Sequence, residues 1–476
     1  MVCLYFNINY LSLLGSMLYF LLNIPLFLFL GEFLDFQFKI YFQVNSSLDR
    51  YIYRIFSGMI LQTIFIQFIL NLPESFGITM RQAYFFILTM EMIFFLIMEY
   101  KRYNATKSIA YSLQKNLIDL KFLDSFEKTI LFLSVMFFLL SFPELRVIPK
   151  NIEQLHQILD SKSTIADSVF KSVQILYNMP FGNFSQFYWI YFAHFYIIEY
   201  GLFLFICYSF FRYFFSRRSA LIGIFSILTT WRITKIMAID FGDFFQSLFP
   251  IIWIWSLFWS IFGKTYRSGL FLGLLSYWGI SKNMNHLYLI IPSLLYIYKV
   301  EFKDKTSWFI RQHFKYFIIV FCVLSLINFQ GFKSIELSLD FKENLNSLIK
   351  TCKKFFLDKG FYSITIFAPF VLLDSRINYL VRQKRLLFSF SLLTAYYLGV
   401  QRFDFLEAYV CFMLTFLCLI PLEWFFLIHS KSRSYRNAIY LIYILVCLLD
   451  SHFEGRLKST IKIMIANKGK IFNDKW

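Results

Sequence analysis

The sequence predicts an all-α, polytopic integral membrane protein with about 13 or 14 transmembrane helices and short surface helices in its external loops. Of its 476 residues, 58% are hydrophobic and 16% are charged, whereas a soluble domain carries about 25% charged residues. Apolar runs of roughly 18 to 25 residues recur along the whole chain, and each can cross a bilayer core of about 30 Å. Because these runs are continuous rather than alternating, they favour helices over the strands of a β-barrel.

The apolar runs define three regions of the chain. The first run, 11–30, has no basic leader and no small-residue cleavage site, so we expect a retained span. Residues 1–128 then form a three-span region of unknown role, 129–451 the main transmembrane region, and 452–476 a basic tail. The candidate spans lie near residues 11–34, 52–72, 83–99, 129–142, 188–211, 219–236, 244–262, 268–281, 286–300, 315–330, 361–375, 386–400, 405–428 and 437–451.

The net charge of +18 would suggest nucleic acid as a partner of a soluble protein, but in a membrane protein basic residues mark cytoplasmic loops. Here they cluster in every second loop, which predicts one orientation and no nucleic-acid partner. The basic tail falls on the opposite side by the same count, so either one span is miscounted or the tail is an interfacial segment. The basic clusters lie at 101–128, 212–218, 264–267, 299–315, 376–385 and 431–436, and the long external loops at 143–187 and 331–360.

Charged residues are concentrated in the stretch 231–243, at a predicted external boundary. Asp240 and Asp243 are three residues apart and would share one face of a helix. Such a pair suits a divalent cation, Mg²⁺ or Mn²⁺, or the orientation of a pyrophosphate, and Arg232 and Lys235 suit phosphate oxygens. The alternative is an ordinary charged loop.

Glu144 lies immediately outside a predicted span, at the start of the long loop 143–187. A carboxylate at a water–lipid boundary is suited to act as a base toward an acceptor hydroxyl. The alternative is a helix-end charge beside Pro143. Asp160 and Asp167, deeper in the same loop, are candidates for the same role.

Two short polar turns are further candidates for substrate binding. The turn 281–286 carries Lys282 and His286, which suit a sugar or a phosphate, although turn chemistry alone selects similar residues. In the second turn, Arg402 near Asp404 forms either an anion site or a simple ion pair.

Acidic residues inside predicted spans are costly and indicate function by default. Glu91, Glu99, Glu199 and Glu423 would line a pathway in a transporter; otherwise they pair with a neighbouring helix or reach the interface. The seven cysteines include no CxxC pair, and the histidines lack metal-ligand spacing. There is no Walker motif, Gly-rich dinucleotide fingerprint or GxSxG elbow.

From about residue 129 onward, the order of features resembles the GT-C superfamily of polytopic glycosyltransferases. The matching features are Glu144 opening an external loop, the basic turn 212–218, the acidic motif at Asp240 and Asp243, a Gly-Leu-rich span with its polar turn in 269–299, and the late spans in 396–422. The resemblance covers roughly two-thirds to three-quarters of the chain. In two respects this chain differs, because the first acid is Glu where the family has Asp, and three spans precede the matching region.

The resemblance implies inverting transfer of a sugar from a polyprenyl-phosphate donor to an envelope or lipid-linked glycan, outside a bacterial inner membrane. Glu144 would act as the base, Asp240 and Asp243 with any divalent cation would complete the catalytic set, and Arg232 and Lys235 would handle the lipid phosphate. Two other functions stay open: an O-antigen-type polymerase or ligase, which would depend on basic residues of 331–360, and a transporter or flippase of lipid-linked sugars. A non-catalytic scaffold is the third alternative.

Overall fold

A computed structural model describes residues 23–34, 47–71, 77–106, 123–140, 200–230 except 202 and 213, 243–262, 265–282, 284–327, 407–420 and 433–451, together with isolated positions at 346, 349, 422, 457, 458, 461 and 462. In this part of the chain every regular element is a helix, which confirms the all-α class.

The helices are numbered in chain order. Short 3₁₀ turns, Met284–His286 and Glu301–Asp304, flank α9. The α-helices are α1 Asn23–Leu34, α2 Ser47–Leu70, α3 Met80–Thr106, α4 Ser125–Leu140, α5 Phe203–Arg212, α6 Arg217–Thr229, α7 Asp243–Phe262, α8 Ser268–Lys282, α9 Leu287–Lys299, α10 Ser307–Ile327, α11 Glu407–Ile420 and α12 Arg433–Asp450.

The first two helices pack together closely because glycine lies at their contact. A Cβ atom on Gly31 would collide with the carbonyl oxygen of Arg54, and one on Gly58 with that of Phe27. Backbones of α1 and α2 therefore touch, as in membrane helix pairs built on small residues. The N-terminal helices also contact the later ones, since the Tyr277 hydroxyl of α8 donates to Gln67 Oε1 at 3.0 Å.

Aromatic rings from α5, α7 and α11 fill the centre of the described helices. The Phe210 ring lies 5.0 Å from Phe412, 5.1 Å from Phe416, 6.0 Å from Phe258 and 6.4 Å from Trp255, always nearly edge to face. Each such pair contributes about 0.5–1.5 kcal/mol beyond the area it buries. Much of the aromatic content of this region therefore serves packing.

Helices α8 and α10 cross closely at two glycines spaced four residues apart. A Cβ atom on Gly269 would collide with the His313 carbonyl oxygen, and one on Gly273 would lie 2.6 Å from that of Phe317. This small-xxx-small arrangement is typical of helix pairs in membranes, where backbones approach closely for lack of a hydrophobic driving force.

Two described helical segments are long and apolar enough to cross a membrane, Met80–Lys101 and Ser307–Leu326. They overlap the predicted spans 83–99 and 315–330. Both expose large apolar side chains instead of burying them, unlike the core helix of a soluble domain. The exposed side chains include Phe86, Met92, Phe94, Leu96 and Ile97 on the first segment and Trp308, Phe314, Ile319, Val323 and Leu326 on the second.

Two of the helix boundaries that differ from the sequence prediction have a local explanation. The helix α10 begins at Ser307, eight residues before the predicted 315, because Lys and Arg are good helix formers and the exposed side chain of Arg311 stays outside the packing. The helix α6 ends at Thr229 rather than near 236. Its last turn closes when the hydroxyls of Thr229 and Thr230 donate to the Ser226 carbonyl oxygen at 2.9 Å.

Candidate functional site

The predicted site residues fall into two groups. Asp243 is the first residue of α7, Lys282 is the last residue of α8, and His286 ends the 3₁₀ turn that leads into α9. The predicted residues outside the described part of the chain are Glu144, Arg232, Lys235, Asp240 and Arg402.

The three described residues lie at the same end of the helix bundle. The His286 ring lies 4.4 Å from the ring of Phe249 on α7, and the Phe249 ring lies 5.8 Å from Trp278 on α8. Phe249 follows Asp243 by six residues, about 9 Å along a helix. The start of α7, the end of α8 and the start of α9 therefore meet.

The contact between α7 and α8 requires glycine at position 279. A Cβ atom there would collide with the Phe249 ring. Deeper in the bundle, Trp253 Nε1 donates to Ser293 Oγ at 2.9 Å, and Ser293 Oγ donates to the Ile290 carbonyl at 3.0 Å. Both side chains are fully buried, so this bond fixes α9 against α7.

The His286 imidazole is only 1% exposed. In that position its ring packs against Phe249 of α7, and the binding role of His286 stays a prediction. Turn composition alone, from which we predicted a binding role, does not distinguish a packed imidazole from one that faces a ligand.

An ion-pair network occupies the other end of the bundle, at the first turns of α4, α6 and α12. Phe214, just before α6, lies 5.0 Å from Phe258, which follows Asp243 by about 22 Å along α7. Arg217 Nε and Nη2 donate to the two Glu127 carboxylate oxygens at 2.9 and 2.7 Å. These hydrogen bonds raise the pKa of Arg217.

The same network includes a second arginine and a helix cap. Arg218 forms an ion pair with Asp124 and donates through Nη1 to Asn437 Oδ1 at 3.2 Å. Asp124 Oδ1 accepts from the Glu127 amide at 2.8 Å, and Glu127 Oε2 accepts from the Asp124 amide at 3.0 Å. This reciprocal pair is a capping box. We did not predict the acidic residues of the network, Asp124 and Glu127, although an acid followed three residues later by Glu is a signature of such a helix start.

The network joins three of the predicted basic segments. The helix starts that it connects lie within 101–128, 212–218 and 431–436, and the structure places them at one end of the bundle. The side of the membrane on which these segments lie stays a prediction.

A third polar cluster joins α8, α9 and α10 through a buried histidine. Ser268 Oγ donates its hydrogen to the Thr265 carbonyl at 3.0 Å, so it accepts from His313 Nε2 at 3.1 Å. His313 Nδ1 is then the acceptor for the Tyr298 hydroxyl at 2.8 Å. In the neutral tautomer with its hydrogen on Nε2, both ring nitrogens of the imidazole are satisfied. The arrangement stabilises the helix contact.

Metal binding by the predicted carboxylates stays a prediction. Among the residues that the structure describes, no group of three or more His, Cys, Asp or Glu side chains is placed to hold a metal ion, and Asp240 lies outside them.

No protein-family model, curated protein or solved structure matches this chain. The function is therefore argued from its own residues.

Proposed function

We propose that this chain is a polytopic integral membrane protein. The proposal is supported by the two long apolar helices, whose large side chains are exposed where a soluble domain would bury them. It is supported further by the close glycine crossings of α1 with α2 and of α8 with α10.

We further propose that the protein is a membrane glycosyltransferase of the envelope. It transfers a sugar from a polyprenyl-phosphate donor to a glycan or lipid-linked acceptor, on the outer side of a bacterial inner membrane. The observation that carries this proposal is the meeting of the start of α7, the end of α8 and the start of α9. A carboxylate, Asp243, and a cation, Lys282, begin and end helices at this end of the bundle.

The end of the bundle where α7, α8 and α9 meet suits a sugar donor that is half apolar. Its polyprenyl tail stays in lipid while its phosphate meets charged groups at the boundary. In the inverting reaction, Glu144 takes the proton of the acceptor hydroxyl, whose oxygen attacks the anomeric carbon. The bond from that carbon to the phosphate oxygen breaks, and polyprenyl phosphate leaves with its charge stabilised by Arg232 and Lys235. Lys282 and Arg402 bind the substrate, and His286 holds the site together.

The test is transfer by single variants of the three carboxylates, Glu144→Ala, Asp240→Ala and Asp243→Ala. Wild type and variants are reconstituted in nanodiscs with synthetic polyprenyl-phosphate glucose, mannose and galactose and a bacterial lipid extract as acceptor. We expect each variant to lose about 100-fold or more of its activity with an unchanged melting temperature, as for loss of a catalytic acid or base. Adding EDTA, with and without excess Mg²⁺ or Mn²⁺, tests the divalent cation.

Asp304→Ala is the matched control. Asp304 is an exposed carboxylate next to α9, at the opposite end of that helix from His286, so its loss should leave transfer unchanged. Undiminished transfer in all three carboxylate variants would overturn the proposed function.

The transporter is a second candidate because one described carboxylate is buried within a long apolar helix. Glu91 of α3 is 5% exposed, and intramembrane acids of this kind line proton and ion pathways. A transporter moves the lipid-linked sugar across a vesicle membrane without making or breaking a bond. The mass of the donor after incubation therefore separates the two functions, because only a transferase removes its sugar.

A further inference from the structure

Glu91 and Gln62 form an isolated polar pair between α2 and α3. Gln62 Nε2 donates to Glu91 Oε2 at 2.6 Å, and Gln62 is fully buried. The other carboxylate oxygen, Glu91 Oε1, and the carboxamide oxygen, Gln62 Oε1, are buried and have no hydrogen-bond partner among the described residues. The pair therefore holds two acceptors that no described donor meets.

No described cation lies near the pair to neutralise a carboxylate. Arg54 precedes Gln62 by eight residues on α2, about 12 Å along the helix, and pairs with Glu32 of α1 at 3.5 Å. Arg81 precedes Glu91 by ten residues, about 15 Å. Besides Glu91, the charged residues of α1, α2 and α3 are Glu32, Asp49, Arg50, Arg54, Arg81, Glu99, Lys101 and Arg102. Those on α2 and α3 lie at least eight residues from Gln62 or Glu91 along the same helix.

The remaining polar side chains of this helix group are engaged elsewhere. The Tyr84 hydroxyl donates to Asn23 Oδ1 at 3.5 Å, and Thr63 Oγ1 donates to the Met59 carbonyl at 2.8 Å. Gln67 Oε1 accepts from Tyr277. An ionised Glu91 would therefore keep its charge in an apolar interior with one neutral hydrogen bond, which is strongly unfavourable.

A proton on Glu91 would remove the buried charge and would also provide a donor for an acceptor that lacks one. A carboxylic acid has an O–H donor and a carbonyl acceptor, and a carboxamide has N–H donors and a carbonyl acceptor, so the two groups can pair reciprocally. Protonation of Oε1 removes the charge and creates a donor beside an amide whose oxygen lacks one. The Gln62 amide is thus suited to hydrogen-bond to protonated Glu91. It also favours the return of a proton to Glu91 after one has left.

We propose that Glu91 and Gln62 form a proton-binding site between α2 and α3, in which Glu91 holds a proton at neutral pH. The site is independent of the proposed sugar transfer, because it uses none of the residues assigned to that reaction. Its ligand is a proton, bound where two membrane-embedded helices meet.

The test is the infrared spectrum of the whole chain in nanodiscs at about pH 7. A protonated carboxylic acid has a C=O stretching band that is separate from the carboxylate bands and shifts in D₂O. We expect this acid band in the wild type and its loss in Glu91→Gln, which keeps the shape and a hydrogen-bonding amide. A wild type minus Glu91→Gln spectrum that shows carboxylate bands and no acid band would overturn the proposal.

Glu99→Gln is the matched control, on the same helix and about 12 Å away, and should leave the acid band intact. Gln62→Leu provides a second measurement, because loss of the amide should shift the acid band without abolishing it. An unshifted band in Gln62→Leu would show that the two side chains do not form one site. Neither readout depends on sugar transfer, so failure here and failure of the transferase proposal are distinguishable.

Discussion

Arg217 donates two parallel hydrogen bonds to Glu127, at 2.9 and 2.7 Å, and so joins the first turn of α6 to the first turn of α4. The two residues are 90 positions apart in the chain. Because Glu127 also caps its own helix, one carboxylate stabilises both a helix start and a contact between helices.

Removal of this carboxylate should lower stability. Glu127→Ala loses half of a capping box and a bidentate ion pair, and we expect a loss of about 1–3 kcal/mol, toward the low end because the Arg217 side chain is 36% exposed. Thermal unfolding in detergent, followed by circular dichroism, measures it. Arg217→Lys keeps the charge but loses the bidentate geometry, so its effect should be smaller. A Glu127→Ala protein as stable as wild type would show that the network does not stabilise the fold.

The contribution of this ion pair to the free energy of unfolding should not change with pH in the alkaline range. Since the hydrogen bonds to Glu127 raise the pKa of Arg217 above its unfolded value, its contribution is fully present below the unfolded pKa and is lost only above the folded one. Both lie well above the pH range of the measurement. The stability difference between wild type and Arg217→Ala should therefore stay constant between about pH 7 and pH 10. A difference that shrinks over this interval would contradict the ion pair.

The crossing of α8 and α10 should not tolerate a side chain at position 269. Gly269→Ala places a methyl group against the His313 carbonyl oxygen, so the helices must separate, at a cost of about 1–3 kcal/mol. Gly201→Ala is the matched control because a Cβ atom there meets nothing within 4 Å. Melting temperatures of the two variants in the same detergent decide the matter, and equal values would contradict the close crossing.

Tyr298 should be needed to satisfy His313. Tyr298→Phe removes the donor to Nδ1 of a fully buried imidazole, and an unsatisfied buried acceptor costs about 1–3 kcal/mol. Tyr100→Phe, at a side chain that is 68% exposed, should have no measurable effect. Chemical denaturation of both variants checks this. Equal stabilities would argue against the hydrogen bonds that join Tyr298, His313 and Ser268.

The role of His286 should be revealed by an aromatic replacement. His286→Phe keeps a ring against Phe249, whereas His286→Ala removes it. We expect the Phe variant to retain sugar transfer within about threefold and the Ala variant to lose stability by about 2 kcal/mol. If the Phe variant is stable and loses transfer, the imidazole contacts the substrate and the packing role is wrong.

Helix positions were largely predictable because they depend on local properties. The predicted spans 244–262, 268–281 and 286–300 correspond to Asp243–Phe262, Ser268–Lys282 and Leu287–Lys299. Each is an apolar run bounded by polar residues, and an apolar run long enough for a membrane forms a helix because its backbone groups must bond internally.

Side-chain partners were not predictable, because they depend on which faces meet. The apolar pattern marks Glu91 as an unusual acid within a span, but only the packing of α2 against α3 places Gln62 beside it. The polar turn marks His286 as a candidate for ligand binding, but only the approach of α7 places its buried ring 4.4 Å from that of Phe249. The amino-acid sequence by itself determined the helical class and the apolar segments, since these follow from local hydrophobicity. Only the tertiary structure decided which polar groups satisfy one another, since residues about 29 to 221 positions apart become neighbours only when helices pack.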